Sequence, residues 1–123
     1  MERDSLTQAV IGKAIEIHRA LGPGLLESAY RNCLAYELTN NGFRVEAEKA
    51  LPIIYKGLTL EHGYRVDLLE EGQIVVEIKH VEFLNELHTA QILTYMKFGK
   101  YKTGLLMNFN TKMMKDGIRR FIF

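Results

Sequence analysis

The sequence predicts an α+β (or α/β) fold, a mixed central sheet flanked by helices, on three observations. Two helical stripes open the chain, Leu6 to Leu21 and Leu26 to Leu38. Period-two alternation then fills much of residues 43–80, where side chains two apart share a strand face. A third helical stretch precedes a compact apolar run, Thr103–Phe109, typical of a strand covered on both faces. A hairpin, a helix and a buried strand in that order imply helices packed on a mixed sheet.

The first stripe is Leu6, Val10, Ala14, Ile17 and Leu21, spaced by threes and fours. Ser5 with Gln8 resembles a capping box at its start. Gly22-Pro23-Gly24 ends it and forces a turn. The second helix is expected over Leu26–Asn40, with Leu26, Ala29, Tyr30, Cys33, Leu34 and Leu38 inward and Asn41-Gly42 closing it. Glu27 lies beside the buried stripe, where an i,i+4 pair with Arg31 would be an ordinary surface device.

Strands are expected at Phe43–Glu48, Leu51–Tyr55 and Leu58–Glu61, with a Lys56-Gly57 turn. The hairpin GYRVDLLEEGQIVVEIKH, Gly63–His80, follows. Asn85 is the expected N-cap of a helix from Glu86 to about Phe98, ended by Gly99. Its inner positions are expected at Leu87, Ala90, Leu93 (or Ile92) and Met96. His88, Gln91 and Tyr95 share one row. The apolar tail Ile118–Phe123 is expected to pack as a last strand or helix, on the body or on a partner chain.

The chain of 123 residues fits a single domain, 1–123, with one core. Its polar start lacks the apolar core of a secretory signal, and no apolar run approaches the ~18–20 residues of a membrane helix. A single cysteine excludes an internal disulfide, and no Cys/His spacing suggests zinc. The expected setting is a reducing cytoplasm, without membrane contact. Residues 97–123 hold seven Lys and Arg against one Asp, a basic end that suits phosphate or a solvated surface.

The hairpin carries the chemistry. Arg65, Asp67, Glu77 and Lys79 fall on one face, and buried charges demand pairing or a metal. A two-residue turn would split Asp67 and Glu77 between faces. A three-residue loop, Glu70-Glu71-Gly72, sets Tyr64, Val66 and Leu68 with Ile74, Val76 and Ile78. It also sets Asp67 opposite Val75, with Glu77 a diagonal neighbour on the same face, ~7–8 Å away. The odd register is expected. Two carboxylates so placed are hard oxygen ligands for Mg²⁺ or Mn²⁺, and Lys79 points into the same space. Cross-strand ion pairing on an exposed face is the plainer reading of the same residues.

The D-x9-E-x-K segment Asp67, Glu77, Lys79 resembles the core motif of the PD-(D/E)XK nuclease superfamily. Gly24, Glu27 and Tyr30 resemble the G-x-x-E-x-x-Y signature of one branch, the GxxExxY protein family. The stretches GYRVDLL, VVEIKHVE, HTAQILTYMK and GLLMNFN are similar too, so the resemblance runs through residues 5–122. It implies a restriction-endonuclease-like αβββαβ core with an added N-terminal helix. It also implies a metal-dependent nuclease acting on DNA, with Mg²⁺ or Mn²⁺ at Asp67, Glu77 and Glu27, and Lys79 as catalytic lysine. The carbonyl of Ile78 is a further candidate ligand. Gln91 and Tyr95 match a Q-x-x-x-Y element beside such sites, and Arg65 and His88 are candidates for lining it or meeting nucleic acid. His88 as a helix cap or surface histidine is the simpler reading. Val66 stands where the motif often has Pro. Two other functions fit the same fold. One is a non-catalytic nucleic-acid-binding module using Lys97–Arg120. The other is an assembly protein joined through Phe121-Ile122-Phe123. A homodimer is compatible with the nuclease reading.

Overall fold

In a computed structural model, residues 3–60 and 63–123 are described. Their elements are α1 (Arg3–Leu21), α2 (Glu27–Asn40), β1 (Val45–Ala50), β2 (Ile53–Tyr55), β3 (Leu58–Leu60), β4 (Arg65–Glu70), β5 (Ile74–Lys79), α3 (Glu86–Gly99), β6 (Thr103–Asn108) and β7 (Ile118–Ile122). The main sheet runs β1-β4-β5-β6-β7, and β2–β3 form a separate two-stranded arm. Only β5 and β6 pair in parallel, joined by the α3 crossover; the other neighbours are antiparallel. This is the expected mixed sheet flanked by helices, an α+β arrangement consistent with a restriction-endonuclease-like fold.

Two cores sandwich the sheet. Leu6, Val10, Ala14 and Ile17 of α1 and Tyr30, Leu34 and Leu38 of α2 pack with Leu68, Ile74, Val76 and Ile78. On the other face, Ile92, Tyr95 and Met96 of α3 pack with Val66, Leu69, Val75 and Leu106. Strand β6 is buried at every position, as a central strand covered on both faces must be. The tail is strand β7, pairing with β6 along the sheet edge.

Several local expectations fail for identifiable reasons. Helix α1 already runs at Arg3, so Ser5 lies inside its first turn and is no cap. Leu26 and Leu87, expected inward, are 77% and 79% exposed. Leu26 is the N-cap of α2 and Leu87 lies in the first turn of α3. The inner face of α3 is rotated to Ile92, Tyr95 and Met96, leaving Ala90 outside. Arg31 pairs with Glu48 at 3.6 Å, not with Glu27. Glu61, expected to close a strand, lies outside the described residues.

Candidate active site

The hairpin loop has three residues, so the odd register holds, but the loop is Glu71-Gly72-Gln73. The pairs are Leu68–Val76, Leu69–Val75 and Glu70–Ile74. Glu71 and Gly72 take φ values of +52° and +63°, so a glutamate shares the left-handed turn expected of glycine alone. The whole pairing slides by two residues relative to the expected one. Continued along the strands, it sets Asp67 opposite Glu77, where a diagonal offset was expected.

At that point the backbone ladder gives way to side chains. The Asp67 N–H donates to Glu77 Oε2 at 2.8 Å, and the Ile78 N–H donates to Asp67 Oδ2 at 2.7 Å. Each carboxylate satisfies a backbone donor of the other strand. The alternation of β4 breaks here. Val66 joins the α3-side core and Leu68 the other, although two apart. The expectation that Tyr64, Val66 and Leu68 share one face is therefore wrong. Glu48, which the β1–β4 register sets opposite Asp67, has φ +50° and skips its pairing. Turning Asp67 toward Ile78 is what rolls the preceding residues to the other layer.

Strand β5 keeps its alternation, so Glu77 and Lys79 follow Val75 onto the α3 side. Glu77 is 3% exposed, and its carboxyl is pushed up to about 8, first by burial and then by the charge of Asp67. Burial likewise raises Asp67, against the Ile78 N–H and the Lys79 and Arg31 charges, which lower it. Glu27 pushes both carboxyls upward, which places its charge near the pair. On α3, Gln91 Nε2 donates to Tyr95 Oη at 3.2 Å. Burial raises the Tyr95 hydroxyl, with Glu77 and Asp67 contributing.

The turn before α2 is clasped to the end of β5. Glu27, at the first position of α2, accepts the His80 N–H on Oε1 at 3.0 Å. The His80 ring bonds the Pro23 carbonyl and stacks on Tyr30. The Tyr30 hydroxyl donates to the Gly22 carbonyl and accepts the Leu25 N–H. Thus Glu27 and Tyr30 of the G-x-x-E-x-x-Y segment are fastening residues, while nothing in the structure explains Gly24. A hollow of 470 Å³ opens beside the clasp, lined by Leu26, Glu27, Ser28, Arg31 and His80.

Asp67, Glu77 and Lys79 thus lie together, with Tyr95 and Gln91 from α3 on the same side, while Glu27 approaches from α2 with its carboxylate on the His80 N–H. Arg65 is exposed at the start of β4. His88 is occupied elsewhere: its Nδ1 accepts the Asn85 N–H at 3.0 Å, completing a capping box. Sequence reasoning missed Arg31 beside Asp67 and gave His80 no task. Arg31 is one helical turn from Glu27, a signal that both point one way. It also missed Asn108, whose buried amide bonds both backbone groups of Val81 and pins the loop leaving β5.

The family model of the PD-(D/E)XK nuclease superfamily matches residues 4–121. The chain belongs to the PD-(D/E)XK nuclease superfamily. No curated protein and no solved structure matches it. Phosphodiester-cleaving nucleases are the rule in this superfamily, and divalent metals their usual cofactors.

Among the described residues, no three His, Cys, Asp or Glu side chains converge into a ready-made metal cage. The donor chemistry still fits a hard divalent ion. Asp67 Oδ1 and Glu77 Oε1 are not the atoms tied to backbone N–H groups, and neither is Glu27 Oε2. Mg²⁺ is characteristically held by one or two carboxylates, with water and substrate phosphate completing its shell. Burial raises both carboxyls, with Glu27 adding to each and Asp67 adding to Glu77, and a bound cation would offset that cost of negative charge. No helix among the described residues is long and apolar enough to cross a membrane.

Proposed function

We propose that this chain is a Mg²⁺- or Mn²⁺-dependent nuclease that hydrolyses phosphodiester bonds of DNA. The observation that carries this is the interlocked pair of half-buried Asp67 and buried Glu77, each bonded to a backbone N–H of the other strand and flanked by Lys79 two residues along β5. We take residues 1–123 as one nuclease domain of the GxxExxY branch, on Gly24, Glu27 and Tyr30, acting in the cytoplasm.

Asp67 and Glu77 would hold the ion, with Glu27 and the Ile78 carbonyl as further ligands. What such an ion supplies when bound is Lewis acidity toward a phosphate oxygen and a more acidic water. Lys79 orients the attacking water and faces the negative charge that develops on phosphorus oxygens. Water adds one P–O bond and the leaving oxygen gives up another. Gln91 orients the Tyr95 hydroxyl at the wall of the site, and Arg65 meets the phosphate backbone from the rim. His88 acts through its helix cap, outside the chemistry.

The test is cleavage of labelled nucleic acid with Mg²⁺ or Mn²⁺ supplied. Glu77→Ala and Lys79→Ala are expected to lose activity by roughly 10³-fold or more while keeping the wild-type circular dichroism spectrum. Wild-type protein inert on single-stranded, duplex and branched DNA, and on RNA, overturns the reading.

A further inference from the structure

The end of the sheet remote from the carboxylate pair carries a second polar surface. Glu77 pairs with Leu106 and Ile74 with Thr103, so the starts of β5 and β6 lie three residues from the carboxylate pair. At ~3.3 Å per residue that is about 10 Å. There, a groove of 590 Å³ is lined by Met96, Lys97, Lys100, Tyr101, Lys102 and Phe123. A smaller hollow of 150 Å³ continues from Lys100, Tyr101 and Lys102 to Gly72 and Gln73. The three lysines are exposed, and none takes part in the ion pairs found among the described residues. Arg44 adds a fourth cation, its guanidinium lying where a side chain on Gly72 would be. The Glu71 carboxylate is turned to the Arg44 backbone N–H at 2.5 Å.

Rings stand among these charges. Tyr101 packs against the α3-side core and over Gly99, where a β-carbon would fall 2.1 Å from its ring. Lys97 Nζ lies 5.9 Å from the centre of the Phe98 ring. A groove that alternates ammonium groups with fixed rings matches a strand whose phosphates and base faces are both accessible. A duplex offers its phosphates but hides its base faces in the stack.

We propose that this groove binds single-stranded nucleic acid. Its phosphates lie on Lys97, Lys100 and Lys102 and a base stacks on Tyr101, at the end of the sheet about 10 Å beyond the carboxylate pair. The inference rests on the nuclease reading in taking the occupant to be nucleic acid. It adds a strand-holding contact outside the carboxylate site itself.

The experiment measures binding without hydrolysis. A labelled thymidine oligomer of about 30 nucleotides is titrated in EDTA over a salt series, with fluorescence anisotropy as readout. The variant is Lys97→Gln/Lys100→Asn/Lys102→Gln. Asn is used at Lys100 because that residue has φ +60°, which Asn tolerates. Three lost phosphate contacts, at ~0.7 each for a single strand, flatten the log–log salt slope by about 2. Tyr101→Leu is expected to weaken binding ~5-fold or more with the slope unchanged. An unchanged slope in the triple variant, or equal loss on a duplex of the same length, overturns the proposal. Cleavage with an unaltered slope sinks the groove and spares the nuclease reading. A flattened slope in a protein that cleaves nothing does the reverse.

Discussion

Glu70 and Glu77 stand at opposite ends of the β4–β5 hairpin, 0% and 3% exposed. Burial is the first cause that pushes each carboxyl up to about 8. The second cause is another carboxylate in each case, Glu71 for Glu70 and Asp67 for Glu77. Beyond that the two differ. Glu77 receives the Asp67 N–H and feels the Lys79 ammonium. Neither oxygen of Glu70 has a hydrogen-bond partner within the described residues. A displaced acidity is thus common to both and marks neither as functional by itself. Convergence of backbone donors, a second carboxylate and a cation distinguishes one from the other.

The contrast can be broken most sharply with metal. Mn²⁺ at about a hundred times its dissociation constant should stabilise the wild-type protein by ~2.7 kcal/mol in thermal melts. Glu77→Gln should abolish that gain and Glu70→Met should keep it; the reverse pattern would move the metal to the wrong end of the hairpin.

The pH dependence sharpens the same point without metal. Both carboxyls hold a proton in the folded protein up to about pH 8, while the unfolded chain releases it near the ordinary 4.5. The folded state then binds more protons, so stability falls as pH rises from 4.5 to about 8, and the loss is complete above that. Glu70→Met should remove its share of the decline and stabilise the protein above pH 8 by ~1–3 kcal/mol, with cleavage unaffected. Denaturant midpoints across pH read this directly. The smallest effect belongs to His88. Its Ala variant should lose ~0.5–1 kcal/mol of stability through the α3 cap and retain its cleavage rate. A large drop in rate would return His88 to the site.

Parity was legible in the hairpin because an odd loop alone sets Leu68 on the face of Ile74, Val76 and Ile78; the break of period two at Asp67, which moves Val66 and Tyr64 to the other layer, was not. The offset was not, because Glu71 takes a left-handed φ that reading assigned to Gly72 alone. Asp67 and Glu77 were readable as a pair, whereas their grip on each other's strand was hidden by the shift. On α3, Leu87-Ala90-Leu93 and Ile92-Tyr95-Met96 are both helical stripes, and only the sheet chooses between them. A glutamate beside a turn reads as solvated, so the burial of Glu70 left no trace in the pattern. His80 depends on contacts across more than fifty residues of chain and Arg31 on Glu48 and Asp67 in other elements, which no local spacing encodes.

The clasp of Glu27, Tyr30 and Pro23 onto His80 has a consequence for how the protein is made. Its two halves are separated by fifty residues, and closing so long a loop is slow compared with forming the helices themselves. Strand β5 also needs β6 beside it and Asn108 against Val81 before its end is held. A ribosome-bound fragment ending short of β6 therefore carries Asp67, Glu77 and Lys79 without the strand that pairs with β5 and without Asn108 to hold its end.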